Sequence, residues 1–473
     1  MRRWDQDPDL RRLVSERVRG DVSRREFLAR LGGTAAGVVA GGLARSARPA
    51  RAQKKVVVTT WDTEPNPATR AAMRAIVDDF HKLHKDIEVR AEGMGWGDMD
   101  RKLQAAMAAK SPPTASHTQT YVVTSFKAKG LIEPVDDIVK SIGEDKIFPS
   151  VLRWLKYPDG KYWGITHAWG AEILGGRGDY ARAAGVDPQS WKTWDDWVRD
   201  MPKLSKAPQH YGLALAGIPF FVNEDVYMWT GSNGGSLFDD KGNPALDSPQ
   251  VLGMLEFWKK LKPTLPPGWA SHDYLETLSA WATGKTSQVM MWGRTAGYID
   301  QYAPPDKRNP DVFQVWPKTT GPMGKAPLTQ FDNEPWVIYA DAPADEKAAC
   351  REFLKFFFKP ENYRKHCDSV PVHILSIYKS DFQDASYMGH PERKRWKPWL
   401  DAQLKWVEMG RAHPLLVCNP QDMLIPWIGD VAAAPILADM VMAVVERGKD
   451  PKAAAKEASD KIARDIIGKG KQG

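Results

Sequence analysis

The feature that most restricts the fold is the order of apolar patterns that begins at residue 56. Val56-Val57-Val58-Thr59-Thr60 is an unbroken β-branched run, as expected of a strand buried on both faces. Asn66-Pro67 supplies an N-cap and a first-turn proline, and Met73, Ile76, Val77, Phe80 and Leu83 recur at helical spacing. Ile87-Glu88-Val89-Arg90-Ala91 reads as a second strand. The loop Gly93-Met94-Gly95-Trp96-Gly97 follows, and a second helix is predicted to open at Asp98, with Met99, Leu103, Ala106 and Met107 on one face. This β-α-β-α order calls for a parallel sheet with helices packed on it, hence an α/β fold. Ligands of such sheets sit beyond the carboxyl ends of the strands. Trp61, Asp62, Glu64 and Trp96 all fall there.

With 473 residues the chain can build two or three cores. Hydrophobic residues make up 42% and charged residues 26%, which excludes a disordered or multi-span membrane chain. Further along, Pro158-Asp159-Gly160 is a tight turn feeding Lys161 to Ile165. Thr193 and Asp196 have capping-box spacing, and Ser248-Pro249 starts a helix with Val251, Leu255, Trp258 and Leu261 inward. Asp239 to Asn243 lacks the acidic spacing of a calcium loop and reads as a hairpin turn. Asp345 to Phe358 is a predicted Phe-rich helix, and Asp430 to Ile467 reads as two helices joined at Gly448 to Pro451. No repeat and no clean linker is visible, which predicts lobes that share the chain discontinuously.

Charge is uneven. The formal net charge is +7, yet residues 1–52 hold twelve arginines against six acids and carry +6 of it. The other 421 residues are nearly neutral, without a basic stretch, so no nucleic-acid partner is expected. The basic segment contains Ser23-Arg24-Arg25-Glu26-Phe27-Leu28, a short Ala/Gly-rich run from Leu31 to Leu43, and Ala50-Arg51-Ala52. Those are the three parts of an export signal, and the paired arginines resemble the twin-arginine type. The apolar run is too short to span a bilayer. Cleavage after Ala52 would release a periplasmic protein. Its three cysteines, Cys350, Cys367 and Cys418, form no metal-binding spacing and allow one disulfide in three pairings.

No phosphate loop, GxSxG elbow or HExxH motif is present, and His81 with His84 is a pair of the kind usual on a solvated helix. No catalytic residue, metal site or cofactor is therefore expected. The 20 tryptophans instead stand out. Trp194, Trp197, Trp258 and Trp281 lie on helices and read as core. Others sit at strand ends or loops beside polar groups: Trp61 with Asp62 and Glu64; Trp96; Gln119; His167 with Trp169; Asn223 and Glu224 with Tyr227 and Trp229; Trp292 with Arg294; and Asp332, Asn333, Glu334 and Trp336. Flat indoles can cover the C–H faces of a sugar while carboxylates, amides and guanidinium groups bind its hydroxyl rim. Trp61 is the first candidate for such a stacking platform.

Ordered segments along nearly the whole mature chain resemble the family 1 extracellular solute-binding proteins of ABC importers. They are Gly130 to Asp137 (GLIEPVDD), Asp159 to Ile165, Asp179-Tyr180 with Ala184 to Pro188, Trp191 to Asp196, Asp247-Ser248-Pro249 with Leu255-Glu256-Phe257, Trp281 to Lys285 running into Val289 to Trp292, Ala349 to Phe356 with Pro360-Glu361, and Val370 to Val372. One departure is Gly175 to Asp179, where many members place a Tyr-Asn/Arg-Lys sequence. The resemblance implies a two-lobe periplasmic binding protein fold, type II-like, with discontinuous lobes joined by hinge strands. Lobe 1 would hold 53–168 and 311–366, and lobe 2 would hold 169–310 and 367–473. It implies a monomer that binds a sugar or oligosaccharide in the inter-lobe cleft, through the residues named above, and delivers it to permease subunits. A polyol, sugar phosphate or polyamine is the alternative ligand on the same fold, and an exported hydrolase is the alternative of another class.

Overall fold

The computed structural model describes residues 55–413 and 425–468, so the predicted signal segment and Cys418 lie outside the described residues. The strands are β1 Val56–Asp62, β2 Ile87–Gly93, β3 Ala115–His117, β4 Ile132–Glu133, β5 Ile165–Ala171, β6 Ile173–Arg177, β7 Gln288–Met291, β8 Phe313–Trp316, β9 Thr329–Tyr339 and β10 Ala412–His413. Helices of eight or more residues are α1 Pro67–Leu83, α2 Trp96–Ala108, α3 Thr120–Ala128, α4 Pro219–Ser232, α5 Pro249–Leu261, α6 Tyr274–Ala282, α7 Thr295–Tyr302, α8 Ala344–Phe357, α9 Pro360–Cys367, α10 Lys397–Glu408, α11 Ile436–Val445 and α12 Pro451–Ile462. None is long and apolar enough to cross a membrane among the described residues.

The opening pattern folds as its periodicity demands. β1 pairs in parallel with β2 and with β3. Asn66 caps α1 by accepting from the Thr69 N–H at 2.9 Å, with Pro67 at the first helical position. Met73, Ile76, Val77 and Phe80 are buried, whereas Leu83, at the end of the helix, is exposed. α2 starts at Trp96, two residues before the predicted Asp98. The long strand β9 completes the first sheet. It runs antiparallel to β3, β4 and β5 and parallel to β10. Pro335 lies inside β9, a position that lacks a ladder donor. It faces Thr166, where β5 shifts register by one residue, so the bulge absorbs the missing N–H.

A second sheet of three antiparallel strands has the order β7-β6-β8. Glu172 alone separates β5 from β6, so one extended segment passes directly from the first sheet to the second. The chain returns through the residues between β8 and β9. Phe313–Trp316, grouped by sequence with the first lobe, pairs instead with Ile173–Arg177 of the second sheet. The two crossings are tied together by an ion pair between Glu172 and Lys318 at 2.5 Å, with side chains 5% and 6% exposed. β6 carries the atypical glycines. A β-carbon on Gly175 or Gly176 would meet the Trp281 or Trp316 ring, so bulky indoles occupy the space the glycines leave.

Thr193 and Asp196 form the expected capping box, and Ser248 caps α5. Asp239 Oδ1 accepts from the Lys241 and Asn243 N–H groups, which closes the turn read from the sequence. The tail differs from expectation. It forms three helical pieces rather than two, because Pro435 separates Ile428–Ala433 from α11. Trp258 and Trp281 are wholly buried, and Trp194 and Trp197 nearly so. Cys350 and Cys367 are free, buried thiols.

Candidate ligand site

Polar side chains converge where the carboxyl ends of β1 and β3 meet the crossing between the sheets. Asp62 is the last residue of β1, and its Oδ1 accepts from the Glu64 N–H at 3.0 Å, which turns the chain. Arg70, one turn into α1, ion-pairs with Asp62 and donates through Nε to the Glu64 carbonyl at 2.8 Å. Glu64 Oε2 accepts from Asn66 Nδ2 at 2.8 Å, while Oε1 meets the guanidinium of Arg294. Arg294 directly precedes α7, which follows β7 of the second sheet. The Glu64–Arg294 contact therefore joins the two sheets through an ion pair whose carboxylate is buried and whose guanidinium is partly exposed.

β9 and β5 bring the next group. Asp332 and Glu334 are two apart on β9 and so share one face. Gln119, the N-cap residue of α3, donates through Nε2 to Asp332 Oδ1 at 3.2 Å. His167 sits in the β5 register shift, and its Nε2 lies 3.2 Å from Glu334 Oε2 without hydrogen-bond alignment. Its Nδ1 is 3.0 Å from His366 Nε2 on α9, and its ring stacks on His117 at a centroid distance of 3.3 Å. His117 comes from the end of β3, one step from Asp62 across the sheet, since Trp61 pairs with Ser116.

Electrostatics follow from burial. Desolvation drives His167 down to about 3 and holds His117, His366 and His373 well below the usual imidazole value, so all four rings are neutral. The carboxyls move the other way. Burial and the charge of Glu64 push Glu334 up to about 8, and burial pushes Asp62 up to about 6 against the pull of Arg70. Asp332 and Glu224 are raised well above the ordinary range by burial and by each other or their acidic neighbours.

An aromatic wall comes from the second sheet's side. Phe221 and Glu224 are three apart on α4 and share a helical face. The Phe221 ring stacks on Tyr274 at 5.7 Å and tilts toward Trp292 at 6.4 Å. Phe221, Tyr274, Arg294 and Asp332 are each partly exposed, which marks where solvent reaches the group.

Of the sequence-derived candidates, Asp62, Glu64, Gln119, His167, Glu224, Trp292, Arg294 and Glu334 thus come together. Others stand elsewhere. Trp61 points away from Asp62, as strand alternation requires, into a small core with Met99, Leu103 and Tyr157. Trp169 is enclosed by Phe148, Phe331 and Phe382 and donates to the Ser376 carbonyl at 2.7 Å. Trp336 is fully buried beside His117. Tyr227 and Trp229 lie in the second sheet's core. Asn223 spends its amide on the backbone of residues 432, 434 and 438, and Asn333 bonds Val151 and Thr166. The Trp96 side chain lies outside the described residues. Arg70, His117, Phe221, Tyr274, His366 and His373 escaped sequence reasoning. Only Phe221 left a signal, its spacing from Glu224.

His117, His167 and Glu334 offer ligand atoms within 4.8 Å of one another, as do Asp332, Glu334 and His373. The two stacked imidazoles are 16° from parallel, so their in-plane lone pairs lie in nearly parallel planes 3.3 Å apart at the ring centroids and do not converge on one point, which fits a single metal ion poorly. His81 and His84 are otherwise engaged: His81 Nε2 accepts from the Val89 N–H at 2.9 Å, and His84 stacks on Phe80.

The chain is 23% identical over 323 residues to an ABC transporter periplasmic-binding protein of Escherichia coli (strain K12), covering 67% of this chain and 72% of that one. It is 24% identical over 311 residues to the maltotriose-binding protein of Pyrococcus abyssi, covering 64% of this chain and 62% of that one. A crystal structure of an ABC transporter solute-binding protein from Agrobacterium radiobacter K84, in complex with ribitol, superposes with a TM-score of 0.69 at 22% identity, over 86% of this chain and 98% of that one. That likeness establishes the two-lobe α/β fold. Residues 75–374 match the family described as bacterial extracellular solute-binding protein, and the chain belongs to that family.

Proposed function

We propose that this protein is the exported solute-binding subunit of an ABC importer and that it takes a sugar or short oligosaccharide at the junction between its sheets. The observation that carries this reading is the grouping of Asp62, Glu64, Gln119, Glu334 and Arg294 beside the aromatic cluster of Phe221, Tyr274 and Trp292. That is the polar rim and apolar platform a carbohydrate requires. Sugar and polyol ligands of the relatives support it. No bond need be broken. Ligand that touches groups from both sheets stabilises the closed arrangement by its differential affinity, and a permease reads that arrangement.

The lobe division we propose keeps 53–168 and most of 311–366 in lobe 1 and 169–310 with most of 367–473 in lobe 2, but moves β8 into lobe 2 and β10 into lobe 1, each with its sheet. The paired arginines support export by the twin-arginine route to the periplasm, and the protein acts as a monomer. A thermal-shift and tryptophan-fluorescence screen against mono-, di- and trisaccharides and polyols tests the function. A saturable shift with at least one carbohydrate, at a dissociation constant on the order of 1 μM, is expected. A flat response across the set overturns the sugar reading. For export, Arg24→Lys with Arg25→Lys should leave the precursor in the cytoplasm, and unimpaired export would refute the route.

A further inference from the structure

The junction holds more acid than its own cations balance. Asp62, Glu64, Glu224, Asp332 and Glu334 converge there, and among the described residues Arg70 and Arg294 are the cations among them. Arg70 is taken by Asp62 and Arg294 by Glu64. Among the described residues, Glu224, Asp332 and Glu334 have no lysine or arginine ion pair of their own; Glu334 meets only the neutral His167 ring, and Arg294 acts on Asp332 and Glu334 from beyond contact distance. No donor among the described residues is aligned on Glu334 Oε2 or Glu224 Oε2, although these residues are only 3% and 5% exposed, while Glu334 hydrogen-bonds its neighbour Asp332 and Glu224 lies beside the Gln330 amide. Burying such oxygens unpaired is costly, and a native fold retains them where something else completes them.

The second observation is aromatic. Phe221, Tyr274 and Trp292 cluster beside this acidic group, with Phe221 one turn before Glu224 and the Tyr274 hydroxyl within electrostatic reach of Asp332. Ring faces attract a cation through their quadrupole, and carboxylates accept its charged N–H groups. A neutral sugar can meet these carboxyls in their protonated form with hydroxyls that donate one proton each, whereas an ammonium group brings three donors and a positive charge that favours the ionised carboxylates.

We propose that the solute is an amino sugar, its ammonium group seated among Glu334, Asp332 and Glu224 and its ring face laid on Phe221 and Tyr274; this rests on the carbohydrate reading above. The amine displaces protons shared by these carboxyls, so its binding releases a proton at neutral pH. A sugar of the same shape without a charge does not.

The test is isothermal calorimetry on the purified chain with matched pairs: glucosamine, N-acetylglucosamine and glucose; galactosamine and galactose; the glucosamine disaccharide and cellobiose. For at least one pair the amine should bind at least about tenfold tighter than its neutral partner, the factor expected from one charged hydrogen bond. Heats measured in phosphate and in Tris should differ by a released proton for the amine alone. Glu334→Gln should shrink the amine-to-neutral ratio toward one, and Asp332→Asn, at a partly exposed position, does the same where the first variant folds poorly. Equal binding of amine and neutral sugars overturns the amino-sugar assignment and leaves the carbohydrate reading standing. Binding of spermidine with no sugar of either kind overturns both. Binding that needs an added divalent cation, and is lost in EDTA, also overturns the assignment.

Discussion

Replacing Lys318 by methionine isolates the charge that ties the two crossings between sheets. The methionine stem keeps most of the volume, so packing changes little. The Nζ of Lys318 lies 2.5 Å from Glu172, and the Asp225 carboxylate also faces the pair. At an effective dielectric of about 20, that separation corresponds to about 7 kcal/mol of attraction. Desolvating both ions takes several kcal/mol each in opposition, so the intact pair nets little. Removing only the cation leaves two buried carboxylates facing each other, and the expected loss is about 3–5 kcal/mol at pH 8. That is a large part of a typical stability of about 5–15 kcal/mol. The fold can recover by protonating them, and Asp225 is already well above its usual value through burial and the charge of Glu172. With the folded value of Asp225 raised above its unfolded one, its protonated form is the one the fold stabilises, so the penalty shrinks as pH falls toward 5. Urea unfolding followed by tryptophan fluorescence at pH 8 and pH 5 measures this directly. Glu172→Gln combined with Lys318→Met should regain most of the loss. A cost under about 1 kcal/mol at both pH values, or a double variant as unstable as the single one, would falsify the assignment of the pair as the tie between crossings.

Trp61→Ala should lower stability by about 3–5 kcal/mol, because it empties the small core shared with Met99, Leu103 and Tyr157, and leave the affinity of the folded protein unchanged; a selective affinity loss in a calorimetric titration would return Trp61 to the ligand. Phe221→Ala, at a partly exposed ring, should weaken solute binding by about 1–3 kcal/mol with little change in unfolding midpoint, and unchanged affinity would place the solute away from this wall. His167 titrates near 3 when folded and near 6.5 when unfolded, facing His117, His366, Glu64 and Glu334. Its contribution is therefore complete above about pH 6.5 and is lost as pH falls toward 3. His167→Gln should flatten that acid limb of the stability curve, and an identical limb in the variant would contradict the neutral, buried ring.

The opening β-α-β-α stretch was legible because its determinants are local. Three consecutive valines, an Asn-Pro cap and a 3.6-residue apolar stripe name their own structure. The grouping of Asp62, Glu64 and Arg294 in the candidate site was legible because they lie at or just beyond the ends of strands, where α/β sheets leave side chains free. The tryptophans misled. A loop indole beside polar residues looks the same in sequence whether its faces meet solute or phenylalanine, and Trp169 meets Phe148, Phe331 and Phe382. Asn223 and Asn333 looked like ligand amides, yet each satisfies backbone carbonyls more than 180 residues away in one or both of its contacts.

The sequence by itself determined the α/β class, the near neutrality of the chain after residue 52, the caps and turns, and through its ordered motifs the family. Each of these depends on neighbours within about one helical turn or on composition. The tertiary structure alone decided that β8 pairs with β6, that Glu172 and Lys318 meet, that His117 stacks on His167, and that among the described residues three carboxyls at the junction have no lysine or arginine ion pair of their own. Those facts depend on which distant segments are brought within a few ångströms. Burial then sets the sign of each residual charge, and burial is a property of the whole fold rather than of any stretch of chain.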